Sequence, residues 1–271
     1  MMRAFDHLVL AVNDLDAAAG VYGRMGFTLT PKAQHPFGTG NRLAQLQGSF
    51  LELLAVTQPD DVPEASPGAF SFGAYNRDFL AHREGLSMMV LQTEDEAADQ
   101  QQFADAGLQT YAPFEFSRQA KLPDGSEATV GFSLTFATVD EMPEAVAFTC
   151  RQWRPDLFWK AEYQDHANGA LGIAEVIMVA DEVGLAAPLL SGLDVDKVRV
   201  LTEAEFQAQY PGARPPEGPG RGRFAGYRIA VADLARTRAV LNDSGLLYSR
   251  GEETLWIGPM DGFGAVIEFS E

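Results

Sequence analysis

The chain has 271 residues, of which 46% are hydrophobic and 21% are charged, as in an ordinary globular protein. Its formal net charge of −18 argues against nucleic acids and anionic membranes as partners. No apolar run reaches the length of a membrane span, no signal peptide precedes the first predicted strand, and the single cysteine excludes an intramolecular disulfide framework. These features predict a cytoplasmic protein.

The first predicted unit spans residues 5–56 and carries the sharpest chemical signal. The string FDHLVLAVNDLDAA predicts a strand and then a helix that is capped near Asp14 and ends at Gly26. RLAQLQ and SFLELLAV predict two further strands joined by a tight turn. His7 lies in the first apolar strand and Glu52 in the last, and a carboxylate in an apolar strand costs free energy unless it is paired or binds a metal.

The opening of this unit recurs three times along the chain. The strings LVLAVNDLDAA, MVLQTEDEAAD, VIMVADEVGLAA and YRIAVADLARTR each predict a strand followed by a helix, and the closing strands FLELLAV and AVIEFSE place Glu52 over Glu268. Such a repeat predicts stacked copies of one unit, each of which covers the apolar face of another. The pattern degrades in the third unit, and Gly226 stands in the fourth where the first has His7.

The order strand, helix and three strands, with a histidine early and a glutamate late, resembles one module of the vicinal oxygen chelate superfamily. That superfamily includes glyoxalase I, extradiol dioxygenases and bleomycin-resistance proteins. The string HPFGTGNRLAQLQGSFLELLAV also resembles the glyoxalase-like domain branch. The resemblance implies an α+β fold of four βαβββ-type modules paired into two half-open barrels. They would span residues 1–155, with the candidate site, and residues 156–271, with a partly degraded third module.

The resemblance also implies a metal site built from the first and last strands of two paired modules. The first module supplies His7 and Glu52, whereas Ser87 and an apolar residue near Phe148 stand at these positions in the second. The glyoxalase-like branch has a string similar to HANGA, so His166 is the expected third ligand of a divalent Fe, Zn, Ni or Mn ion. The alternative is that His7 and Glu52 bond each other as a buried pair without metal.

Two loops carry candidate substrate contacts. In HPFGTGNR, Asn41 and Arg42 offer donors to a substrate carboxylate or hydroxyl, although the loop can equally be a structural hairpin connection. In CRQWRPDLFW, Trp153 can wall an apolar pocket and Arg154 can anchor an anion; alternatively, this segment is a linker that packs its aromatic residues between the barrels.

Three other groups are assigned no chemistry. Cys150 has no histidine near it in sequence and is expected to be a small buried hydrophobe. His35 and His82 are expected at the surface.

These observations predict a metal-dependent lyase, isomerase or dioxygenase that acts on a small oxygenated molecule, with the metal as a Lewis acid. The alternative is a metal-free protein of the bleomycin-resistance type that sequesters a small ligand. The pair of His7 and Glu52 favours the enzyme, and the missing ligands of the second module favour the binder. The sequence alone does not determine whether the protein forms a homodimer, which substrate it takes or which metal it binds.

Overall fold

The computed structural model describes residues 2–121 and 127–271. Within these residues, fifteen strands form a sheet of nine strands and a sheet of six, with seven α-helices packed around them. Both sheets are open, which confirms the α+β class and agrees with the predicted half-open barrels. None of the helices in these two ranges combines the length and the apolar composition that spanning a membrane requires.

The helices begin where short polar side chains cap them. Asp14 accepts hydrogen bonds from two backbone N–H groups at the start of the first helix, which buries Tyr22 and ends before Gly26, a residue with φ of 90°. The helices are α1 (Leu15–Arg24), α2 (Phe72–Leu80), α3 (Glu96–Asp105), α4 (Pro155–Phe158), α5 (Ala187–Gly192), α6 (Glu203–Gln209) and α7 (Leu234–Ser244).

The larger sheet contains the two strands that carry the predicted His–Glu pair. Its strands are β1 (Phe5–Ala11), β2 (Ala33–Gln34), β3 (Thr39–Gln45), β4 (Phe50–Val56), β5 (Gly85–Gln92), β6 (Gln109–Thr110), β7 (Phe114–Lys121), β8 (Glu127–Thr138) and β9 (Val146–Gln152). Their order is β2-β3-β4-β1-β5-β9-β8-β6, and β7 pairs with β8. The central strand β1 therefore lies between a parallel neighbour, β4, and an antiparallel neighbour, β5.

The smaller sheet repeats part of this plan. Its strands are β10 (Ala170–Ala180), β11 (Val198–Leu201), β12 (Gly222–Val231), β13 (Tyr248–Arg250), β14 (Leu255–Ile257) and β15 (Val266–Ser270), in the order β11-β10-β12-β15-β14-β13. The parallel pairing of β12 with β15 corresponds to that of β1 with β4. Only β10 and β11 come from the degraded third unit, which ends in α6 and a loop.

The two sheets share one apolar core. Leu8 and Leu10 of β1 belong to the same buried cluster as Met178 of β10 and Ile267 of β15. Across this core, α1 and β12 are also joined by a hydrogen bond between the hydroxyls of two buried tyrosines. One face of the larger sheet is therefore covered by helices and by the smaller sheet.

The opposite face of the larger sheet carries a second, aromatic cluster. Because strand side chains alternate, His7 leaves β1 on the same face as Val9, which belongs to that cluster. Val9 is paired with Glu52 in β4. The register thus brings His7 and Glu52 to the same face of adjacent strands.

Candidate active site

A cavity of about 50 Å³ lies within this second cluster, and we call it the aromatic cavity. Its polar lining consists of His7, His35, Asn41 and Glu52, together with the thiol of Cys150. Leu43, Leu134 and phenylalanine rings form the rest of the wall: Phe37, Phe50, Phe72, Phe116, Phe132, Phe148 and Phe158. The few polar groups therefore meet in largely apolar surroundings, as they do in many small-molecule sites.

His7 is oriented from behind by its neighbour in sequence. Its Nδ1 lies 2.6 Å from a carboxylate oxygen of Asp6, whose other oxygen accepts a hydrogen bond of 2.9 Å from Gln152. The ring of Phe50 stacks on the imidazole, with centroids 4.3 Å apart. Nδ1–H therefore donates to Asp6, and Nε2 presents its lone pair to the cavity.

Glu52 lies at the centre of the polar groups. Its side chain is buried, and its two oxygens lie 3.7 Å from Nε2 of His7 and 3.8 Å from Nε2 of His35. The amide nitrogen of Asn41 donates to Glu52 at 2.5 Å. The amide oxygen of Asn41 is buried and has no hydrogen-bond partner within the described part of the chain.

His35 is buried, contrary to the expectation that it lies at the surface. The loop folds back so that the backbone N–H of His35 donates to the carbonyl of Thr39, and Phe37 stacks on the imidazole at 4.9 Å. Nδ1 of His35 bonds the hydroxyl of Thr39 at 2.8 Å, and Nε2 lies 3.2 Å from the Asn41 amide nitrogen. The sequence signal for this burial is Phe37, which follows His35 by two residues in a glycine-rich loop.

The donors in the cavity match those of a two-histidine, one-carboxylate metal centre. His7 and His35 both direct Nε2 toward Glu52, and each ring is held at Nδ1 by a hydrogen bond. As they stand, no three His, Cys, Asp or Glu side chains of residues 2–121 and 127–271 are grouped closely enough to hold a metal ion. To hold a metal, His7, His35 and Glu52 would have to draw closer together, and the Asn41 amide, which now bonds Glu52, would have to turn away.

The structure does not bring His166, the predicted third ligand, to this cavity. Its Nδ1 accepts a hydrogen bond from the backbone N–H of Thr28 at 3.0 Å, and its Nε2 donates to the carbonyl of Gln45 at 2.7 Å. Burial lowers the pKa of His166, although the Gln45 carbonyl and the charge of Asp165 oppose this shift. Both ring nitrogens are used by the backbone, so His166 fastens the segment before β10 to the first unit and has no lone pair for a metal.

Of the four predicted substrate contacts, only Asn41 lines the aromatic cavity. Arg42 leaves β3 on the other face and pairs with Asp16 of α1 at 3.0 Å. Trp153 is 54% exposed, and Arg154 pairs with Asp156 at 2.8 Å on the surface. The segment after β9 contributes to the cavity through Phe158 instead.

The thiol of Cys150 and the carboxylate of Glu268 are each held in an unreactive state, for different reasons. Burial raises the pKa of the Cys150 thiol well above its usual range, and the charges of Asp6 and Glu52 raise it further, so the thiol stays protonated. In the smaller sheet, Glu268 accepts hydrogen bonds from Arg199 at 2.7 Å and from Arg228 at 2.9 Å. The counterpart of Glu52 is therefore already neutralised by arginines.

Comparisons with known proteins agree with this architecture. The family described as "Glyoxalase-like domain" matches residues 5–193, and a search of curated proteins finds no match. A hypothetical protein from Staphylococcus aureus of known crystal structure is 15% identical, with a TM-score of 0.66 over 99% of each chain.

Two other similar structures have names that specify an activity. A xylose isomerase-like TIM barrel/4-hydroxyphenylpyruvate dioxygenase fusion protein is 12% identical, with a TM-score of 0.58 over 99% of this chain and 49% of that one. A triple mutant of 4-hydroxymandelate synthase from Streptomyces coelicolor is 10% identical, with a TM-score of 0.56 over 99% of this chain and 92% of that one. At these identities, the similarity shows a shared fold alone.

Proposed function

Because the chain belongs to the glyoxalase-like domain family, we propose that it is a divalent-metal-dependent enzyme acting on a small oxygenated molecule with an apolar body. The observation that carries this proposal is the convergence of His7 and His35 on the two oxygens of one buried carboxylate, Glu52. This donor set is typical of non-haem iron oxygenases, so dioxygenase chemistry is favoured over lyase or isomerase chemistry.

Each side chain of the cavity has a defined part in this proposal. His7, His35 and Glu52 would hold the metal, which supplies Lewis-acid activation of oxygen atoms when bound. Asp6 keeps the Nε2 lone pair of His7 directed into the cavity. Asn41 offers an amide to a substrate oxygen, and the phenylalanine walls surround the polar groups with apolar surface, which strengthens electrostatic contacts inside.

Metal analysis of matched variants tests the ligand set. Protein purified without chelator or metal-binding tag should contain close to one equivalent of Fe, Zn, Ni or Mn. His35→Ala and Glu52→Gln should lose most of it, because two ligands hold a divalent ion weakly. His166→Ala should keep its metal, because His166 bonds only backbone groups. Full metal content in His35→Ala would contradict the proposed set.

A metal-free binding protein is the second candidate, and one contact favours it. The amide nitrogen of Asn41 already bonds Glu52 and lies 3.2 Å from Nε2 of His35, so the buried carboxylate has a hydrogen-bond donor without a cation. In that case the purified protein contains no stoichiometric metal, and added Fe²⁺ or Zn²⁺ does not raise its thermal stability. Metal that binds and stabilises the wild type but not Glu52→Gln would exclude this candidate.

A further inference from the structure

A second hollow opens beside the aromatic cavity and shares part of its wall. This hollow, which we call the entry cleft, has a volume of about 330 Å³. Asn41, Leu43 and Phe158 line both the entry cleft and the aromatic cavity. A molecule whose reactive end lies at Asn41 would therefore extend into the cleft.

Alternate residues of β3 form the floor of the entry cleft. Asn41, Leu43 and Gln45 follow each other on one face of the strand and span about 13 Å. The far end is held firmly, because the Gln45 side chain accepts from the backbone N–H of Lys160 and donates to the carbonyl of Phe158, both at 2.9 Å. The floor thus begins at the polar Asn41, passes the apolar Leu43 and ends at Gln45, which is bonded to the segment that carries Lys160.

The charge of the entry cleft is opposite to that of the protein. Lys32 and Lys160, two of the chain's four lysines, line it, although the net charge is −18. The residues found to line the cleft include no aspartate or glutamate. Neither lysine forms an ion pair with a residue of the described ranges 2–121 and 127–271, whereas most arginines of the molecule do pair with carboxylates. The two positive charges are thus available to a bound anion.

We infer that the substrate is a small organic acid that spans both hollows. Its carboxylate lies near Lys160 at the far end of the floor, its apolar body lies along Leu43 and Phe158, and its oxygenated end reaches Asn41, while Lys32 adds a second positive charge to the same cleft. This inference rests on the proposed function for the location of the reacting end. The positive cleft on a strongly acidic protein also attracts such anions locally.

Matched acid and amide probes test the inference. The pairs are 4-hydroxybenzoate with 4-hydroxybenzamide, and 3-(4-hydroxyphenyl)propanoate with its amide, measured by calorimetry and saturation-transfer NMR at millimolar concentration. Wild-type protein should bind at least one acid about threefold to tenfold more tightly than its amide. The double variant that combines Lys32→Gln and Lys160→Gln should abolish this preference for the acid. Lys197→Gln is the control, because Lys197 is exposed just before β11 and lies outside the cleft.

A preference that persists in the double lysine variant would overturn the inference, and so would three other results. The first is that neither acid binds. The second is that acid and amide bind equally tightly in both pairs. The third is that Lys197→Gln loses the acid preference as fully as the double lysine variant does. The titrations use protein treated with EDTA, so the acid preference is measured without the metal. The proposed metal centre is tested separately by metal content, and either proposal can therefore fail while the other stands.

Discussion

At the scale of single residues, Asp6 determines how His7 faces the cavity. Removing its carboxylate in Asp6→Ala removes the hydrogen bond to Nδ1 and frees the imidazole to rotate. The affinity for Zn²⁺ or Co²⁺, measured by calorimetric titration, should fall about 10- to 100-fold. Asp16→Ala is the control, because Asp16 is exposed and contacts Arg42 away from the cavity. An unchanged affinity in Asp6→Ala would argue against the orienting role.

His166 is expected to contribute to stability through its two hydrogen bonds to the backbone. His166→Ala leaves the backbone N–H of Thr28 and the carbonyl of Gln45 without their partner. The free energy of unfolding should therefore fall by about 1–3 kcal/mol. Urea unfolding monitored by circular dichroism measures this loss. A variant as stable as the wild type would contradict the bonding described above.

The same residue makes stability depend on pH. Burial lowers the folded-state pKa of His166 below its unfolded value near 6.5, so the unfolded chain binds the proton more readily. The contribution of His166 is complete above pH 6.5 and is lost as the pH falls through the folded-state pKa. Between pH 7.5 and 5.5, the free energy of unfolding should decrease less in His166→Gln than in the wild type. Equal decreases in urea titrations would refute the assignment.

The residues of the site differ in how well the sequence alone predicts where their side chains lie. His7 and Glu52 are predictable, because each is a polar residue in an apolar strand whose alternation fixes the face it occupies. His35 follows no such period, because its burial depends on a loop that folds back on Thr39. For His166, the string HANGA is compatible with an imidazole that faces a metal and with one that bonds the backbone. Only the three-dimensional contacts decide between these two roles.

At the scale of elements, the close approach of β12 and β15 leaves no room for a side chain at the position that corresponds to His7. A Cβ atom on Gly226 would lie 2.2 Å from the carbonyl oxygen of Val266, so no side chain can occupy the position that corresponds to His7. Gly226→Ala should lower the free energy of unfolding by about 1–3 kcal/mol. Gly172→Ala in the adjacent β10 meets no atom within 4 Å and should be neutral or slightly stabilising. Equal stabilities by chemical unfolding would contradict this account.

Elements with strong local signals are the ones that sequence predicts well. The helix expected between Asp14 and Gly26 is α1 (Leu15–Arg24). Half of the HPFGTGNR loop is instead part of strand β3, in which Asn41 faces the aromatic cavity. Helix α6 was missed in the degraded third unit, although Thr202 and Glu205 form a capping box at its start.

At the scale of the whole molecule, the shared core couples the two sheets. The predicted boundary at residue 155 divides the chain, but Leu10 and Met178 belong to one buried cluster. Both sheets should therefore unfold in one transition, since neither can lose its partner without exposing this core. Fluorescence tests this, with variants that keep only Trp159, near the aromatic cavity, or only Trp256, in the smaller sheet. Two separate urea midpoints would show that the sheets are independent units.

The position of Asp6 between two spaces has a consequence for proton movement. On one side it bonds His7, and on the other it borders an open cleft of about 890 Å³ that is distinct from the entry cleft. The Nδ1 proton of His7 is thus bonded on the side that a ligand in the aromatic cavity would not occupy. Exchange of this proton with solvent deuterium, followed by NMR, should therefore continue while the aromatic cavity is filled.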